Sequence, residues 1–81
     1  MQVRVLLFAE LAEIMETTSI VLDLQDDLTI ADLMQHLARL HQPIARMQSH
    51  LAVAIDGRYA RPSDQVSPGI DVALIPPISG G

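Results

Sequence analysis

Few side chains in this sequence are placed to do chemistry, and most of those have a structural reading. His36, His41 and His50 are the candidates for metal ligation. His36 falls on the polar side of a helical stripe and His41 just past its end. No pair has carboxylate or cysteine support at a ligand spacing, so no metal site is expected. Asp26-Asp27 reads as a turn, because nothing nearby would desolvate a working carboxylate pair. Asp56-Gly57 is hairpin chemistry. There is no Ser-His-Asp context for a nucleophile and no glycine-rich phosphate loop after a strand. The end of the sequence is different: Pro76-Pro77-Ile78-Ser79-Gly80-Gly81. Proline fixes φ and donates no backbone N–H, so Pro76-Pro77 should stop a strand and leave the chain extended. At about 3.1 Å per residue in polyproline geometry, six residues reach roughly 20 Å. Gly80 and Gly81 lack a Cβ and fit a slot too narrow for other residues. The group presented at the tip is the α-carboxylate of Gly81.

A carboxylate at neutral pH is a poor electrophile. Adenylation by a partner using ATP would make it an acyl-adenylate, which a sulfur nucleophile converts to a thiocarboxylate and an amine to an amide. The rest of the composition suits either outcome. Without cysteine, no side-chain thiol can divert a carried sulfur. All five basic residues are arginines, so no lysine can accept an amide bond.

The body that positions this tail must be small. With 81 residues the chain suffices for one domain, expected over 1–75 with the tail over 76–81. Apolar residues make up 49%, with one Phe, one Tyr and no Trp, so Leu, Ile, Val, Ala and Met must build the core. The net charge of −5 disfavours nucleic acid and would attract a basic partner surface. No run approaches the roughly 20 apolar residues of a membrane span. Met1 leads straight into strand-like residues without a signal-peptide pattern, so a cytoplasmic location is expected.

Val3, Val5 and Leu7 alternate with Gln2 and Arg4, predicting a first strand over 1–8. Leu6 and Phe8 make its second face partly apolar, so that face should be at least half covered. Phe8, Leu11, Ala12 and Met15 switch to helical spacing over 9–15. Ile20, Leu22 and Leu24 mark a second strand, antiparallel to the first. Thr29-Ile30-Ala31-Asp32 has the form of a capped helix start. Ile30, Leu33, Met34, Leu37 and Leu40 form one stripe of a three-turn helix that Pro43 should close. A polar connection is expected over 43–50. Leu51, Val53 and Ile55 mark a third strand, with Ala52 and Ala54 small enough to sit beneath something. Asp56-Gly57 turns into a short return strand, 58–60. A turn-rich surface stretch follows, and Ile70, Val72 and Leu74 mark a last strand ending at Pro76.

One long helix on a small mixed sheet is an α+β roll, and this element order matches the ubiquitin-like β-grasp. In that fold the last strand lies centrally beside the first and delivers an extended, flexible C-terminal tail into solvent. The residues also resemble the small, sulfur-carrying subunits of molybdopterin synthases. Val3 to Ala12 resembles their opening, Leu28 to Leu33 their main-helix entry, and Val53 to Gly57 their third strand. Val72 to Gly81 resembles their last strand, double proline and Gly-Gly. Gly69-Ile70-Asp71 departs from the usual glycine followed by acidic residues.

The resemblance implies a sulfur carrier in molybdenum cofactor biosynthesis, not an enzyme on its own and binding no cofactor itself. A ubiquitin-activating-like adenylyltransferase would use ATP to adenylate Gly81, and a sulfur donor would convert the adenylate to a thiocarboxylate. The tail, Pro76, Pro77, Ile78, Ser79, Gly80 and Gly81, would insert into the large catalytic subunit, with Ile75 an apolar contact on the partner surface. The sulfur would pass to cyclic pyranopterin monophosphate in a complex of two small and two large subunits. Carriers for thiamine, tungsten cofactor or cysteine synthesis share the fold and the Gly-Gly, whereas the double proline with Ile78-Ser79 leans towards molybdopterin. Ubiquitin-like modifiers joined to target lysines are another alternative, and an inert tail remains a further one.

Overall fold

Alternation in the first residues becomes strand β1 (Gln2–Leu7), with Val3, Val5 and Leu7 all buried. The computed structural model describes residues 1–77. The change of period at Ala9 becomes helix α1 (Ala9–Met15), which buries Leu11. Glu16 ends it in the left-handed region at φ 57°, its N–H donating back to Ala12 and Glu13. Strand β2 (Ser19–Asp23) returns antiparallel to β1, pairing Val3 with Leu22 and Val5 with Ile20.

Helix α2 (Ile30–Leu40) starts at the expected cap. The Thr29 hydroxyl accepts from the Asp32 N–H at 3.2 Å, and the Asp32 carboxylate accepts from the Thr29 N–H at 3.1 Å. Two N–H groups that the first turn cannot satisfy are thereby paired. The Ile30, Leu33, Met34 and Leu37 stripe is buried, while Leu40 is exposed. The polar connection expected over 43–50 is instead helix α3 (Gln42–Met47) followed by a 3₁₀ turn, Gln48–His50. Pro43 lies in the first turn of α3, where its missing N–H breaks no helical bond. Proline therefore starts a new helix here as well as following the old one, and Ile44 is carried fully into the core.

Strand β3 (Ala52–Ile55) turns at Asp56 and Gly57, both at positive φ (51° and 77°), into the two-residue β4 (Arg58–Tyr59). Two positive-φ residues make a hairpin turn whose twist matches its strands. The stretch that follows is irregular but not merely superficial. Val66 is 4% exposed, and its N–H donates to the Leu28 carbonyl at 2.8 Å. Ile30 and Ala31 donate to the carbonyls of Asp64 and Pro62, so this stretch closes over the start of α2.

Strand β5 (Asp71–Ile75) completes a mixed sheet ordered β2-β1-β5-β3-β4. β5 runs parallel to β1 and antiparallel to β3. Helices α1 and α2, together with Ile44 of α3, contribute their buried residues to the same core as the sheet's Val3, Val5, Val72 and Leu74. This is the expected β-grasp, with the last strand at the centre.

Candidate functional site

β5 reads alternately half-buried and buried. Val72 and Leu74 point into the core, and Asp71, Ala73 and Ile75 take the opposite face. Register extends that outer face across three strands. Leu6 pairs with Ala73 and Ala73 with Ala54; Ile75 pairs with Ala52. A shallow depression results, with Leu6, Phe8, Ala54, Ala73 and Ile75 among its lining residues. The alanines keep it low between larger side chains. Phe8 is 45% exposed at the end of β1, on the side towards which β5 runs. The sequence pattern predicts a face at least half covered, with Ala52 and Ala54 beneath something. Among the described residues no element lies across it, so Leu6, Phe8 and Ile75 form an open apolar surface.

At the other end of this face Arg4 grips Asp71 across the parallel pair. Arg4 Nε donates to Asp71 Oδ1 at 3.0 Å and Nη2 to Oδ2 at 2.6 Å. These hydrogen bonds, with the attraction of the two charges, raise the arginine's pKa and hold the Asp71 carboxyl below its ordinary range. The pair pins β5 to β1 at its first residue and gives the apolar face one charged border.

β5 ends at Ile75, where the double proline begins. Pro76 is buried and Pro77 exposed, following Ile75 on the apolar face. Ile75 is half-buried on that face. Ile78, Ser79, Gly80 and Gly81 lie outside the described residues. The histidines are dispersed: His36 on α2, His41 between α2 and α3, His50 at the end of the 3₁₀ turn. Among the described residues no three His, Asp or Glu side chains gather to hold a metal ion. No described helix is long and apolar enough to cross a membrane.

Phe8 and Leu6 are the site residues that pattern reading assigned to a covered strand face. The signal was present in the pairing of two apolar rows, Leu6 with Ala73 and Phe8 beside Ile75. It becomes legible only once β1 and β5 are known to be neighbours.

Residues 5–81 match the ThiS family. The chain belongs to the ThiS family. Similar proteins include the molybdopterin synthase sulfur carrier subunit of Chlamydomonas reinhardtii, 31% identical over the whole of both chains. The human protein of the same name is 32% identical over 99% of this chain and 94% of its own. Small archaeal modifier protein 1 of Haloferax volcanii is 29% identical over 93% of this chain and 95% of its own. The crystal structure of SAMP1 from Haloferax volcanii superposes with a TM-score of 0.86 at 28% identity, covering all of both chains. The ThiS family thus joins this fold to relatives named for sulfur carriage and for protein modification.

Proposed function

We propose that this chain is the sulfur carrier of a molybdopterin synthase, not itself an enzyme, and that its working group is the Gly81 carboxylate. The observation that carries the reading is the position of β5. A central strand, hydrogen-bonded on both sides, ends at Ile75 on an open apolar face, six residues before Gly81 in the sequence. Full-length similarity to two molybdopterin synthase sulfur carrier subunits supports the pathway.

On an activating adenylyltransferase, the Gly81 carboxylate attacks the α-phosphorus of ATP and pyrophosphate leaves. A donor at the oxidation level of sulfide then forms the C–S bond, the C–O bond breaks, and AMP departs. The resulting thiocarboxylate enters the large catalytic subunit along the tail from Pro77 to Gly81. Its sulfur bonds to a carbon of cyclic pyranopterin monophosphate as an oxygen substituent leaves that carbon, and water adding to the acyl carbon then breaks the acyl C–S bond, restores the carboxylate and leaves the sulfur on the pterin. Leu6, Phe8 and Ile75 form the docking surface, while the two glycines allow passage through a narrow channel. Two carriers would serve two large subunits.

Intact mass after incubation with ATP, the activating enzyme and sulfide tests this. One oxygen should be replaced by sulfur on the C-terminal peptide, and an unchanged mass refutes the reading. The similarity to the archaeal modifier favours a second reading, in which the same adenylate is attacked by a target lysine. Amide conjugates on lysine-bearing proteins, in place of thiocarboxylate, would establish that reading instead.

A further inference from the structure

An acyl-adenylate is open to any amine, and those of the carrier itself are among the amines it can meet. This sequence has no lysine. Its cationic side chains are Arg4, Arg39, Arg46, Arg58 and Arg61, whose guanidinium groups remain protonated. In the chain beginning at Met1, one primary amine is left, and the fold ties it down. The Met1 ammonium donates to the Leu24 carbonyl at 2.6 Å. The Leu24 N–H donates back to the Met1 carbonyl at 2.8 Å, so the β1–β2 ladder is extended by one reciprocal pair. The carboxylates of Asp23 and Asp26 stand 3.7 and 3.8 Å from the same nitrogen. The Met1 side chain is only 4% exposed.

Strand polarity separates this amine from the chain's own terminus. β5 is parallel to β1, with Arg4 opposite Asp71 and Leu7 opposite Leu74. Ile75 therefore lies level with Phe8, seven residue steps from Met1, or about 23 Å at 3.3 Å per step. Six residues span at most about 20–22 Å when fully extended, and β5 runs away from Met1 as far as Ile75. Burial of Pro76 shortens the free length further.

We propose, resting on the carrier reading above, that this chain is built so that its activated terminus cannot be consumed by the carrier. Polarity prevents attack within one copy, and the missing lysines with the tethered Met1 amine prevent attack by a second copy. The step avoided is plain. An N–C bond would form, the C–O bond to AMP would break with its electron pair leaving on AMP, and the amine's protons would pass to solvent. The Met1 amine could begin it only after leaving the Leu24 carbonyl and the flanking Asp23 and Asp26 carboxylates. The acyl group is thereby kept for an outside nucleophile, sulfide or a partner's amine.

Two variants test this: a Gly-Ser extension before Met1, which frees the α-amine, and Arg46→Lys, which places an amine on the exposed face of α3. In a short pulse of an acetyl N-hydroxysuccinimide ester, Met1 of the parent chain should acetylate about tenfold more slowly than the extended terminus, the worth of one charge-assisted hydrogen bond. Equal rates overturn the shielding. With ATP and the activating enzyme but no sulfide, the parent should form no carrier–carrier amide while both variants do. Self-conjugates of the parent overturn the proposal. Absence of conjugates from both variants overturns it too, because the amine inventory would then not be what prevents them. Pyrophosphate release in the same tubes separates the layers: with none from any chain, the carrier reading falls and this proposal with it, while the acetylation pulse still reports on Met1.

Discussion

Truncating Phe8 to alanine tests whether the open sheet face is a docking surface. A phenylalanine buries roughly 200 Å² when fully covered. Phe8 is 45% exposed, so about 90 Å² of it remains for a partner to cover. At about 25 cal/mol per Å² that is about 2 kcal/mol, or roughly 30-fold in Kd. The Phe8→Ala chain should therefore bind the large subunit of a molybdopterin synthase roughly 30-fold more weakly by calorimetry. The matched control is Ile14→Ala on α1. Ile14 is 50% exposed, about as apolar, and lies on an element that packs against α3 instead of lining the sheet depression. Thermal melts of both variants separate lost folding from lost binding. An unchanged Kd for Phe8→Ala, or an equal loss for Ile14→Ala, would refute the assignment of this face.

Three further outcomes are expected. Deleting Gly81 should leave the melting curve of the body unchanged and abolish thiocarboxylate formation, read by intact mass; a lowered Tm would show that the terminus belongs to the folded core. Thr29→Ala removes the acceptor for the Asp32 N–H at the start of α2, and should cost about 1 kcal/mol, a Tm lower by about 4–8 °C. The Asp71 carboxyl is held below its ordinary range by hydrogen bonds from Arg4, so its stabilising contribution is complete above about pH 4 and fades as pH falls through the lowered value. The stability gap between parent and Asp71→Asn, followed by denaturant melts, should accordingly shrink on acidification, and a gap that widens would contradict the sign.

Much of this fold was legible because local signals agreed. The Thr29–Asp32 cap, the Ile30 to Leu37 stripe and the Asp56-Gly57 turn each have one structural solution, and each appears where expected. The exceptions have physical causes. Polar residues dominate 42–50, and only Ile44 and Met47 betray the inner side of α3, too few for a helical period over six residues. Val66 is a lone apolar residue among turn formers, and its burial depends on Leu28 being close in space. The open apolar face was missed for the same reason. Leu6 and Phe8 suggest a covered face when β1 is read alone, and the alanines that leave the face open come from β3 and β5. For the C-terminal stretch, the sequence alone carries the proposed chemistry of Pro76 to Gly81; the structure adds that Pro76 is buried and Pro77 exposed, and Ile78 to Gly81 lie outside the described residues.

The position of β5 explains how affinity and chemistry can be divided between two parts of one small chain. β5 is bonded to β1 on one side and β3 on the other, and Arg4 clamps its first residue. Moving β5 relative to β1 and β3 would break two ladders at once, so a partner that held the sheet face would also fix where the residues after Ile75 begin. From Pro77 to Gly81 the chain reaches at most about 18 Å, which bounds the depth of the reaction centre below the docking surface. On the proposed carrier reading, affinity would belong to the sheet face and chemistry to the terminus. Phe8→Ala should act on Kd and leave sulfur transfer intact at saturating partner, whereas the Gly81 deletion should abolish transfer and leave most of the affinity. A Phe8 variant that bound normally yet failed to transfer would mean that the face positions the tail instead of holding the partner.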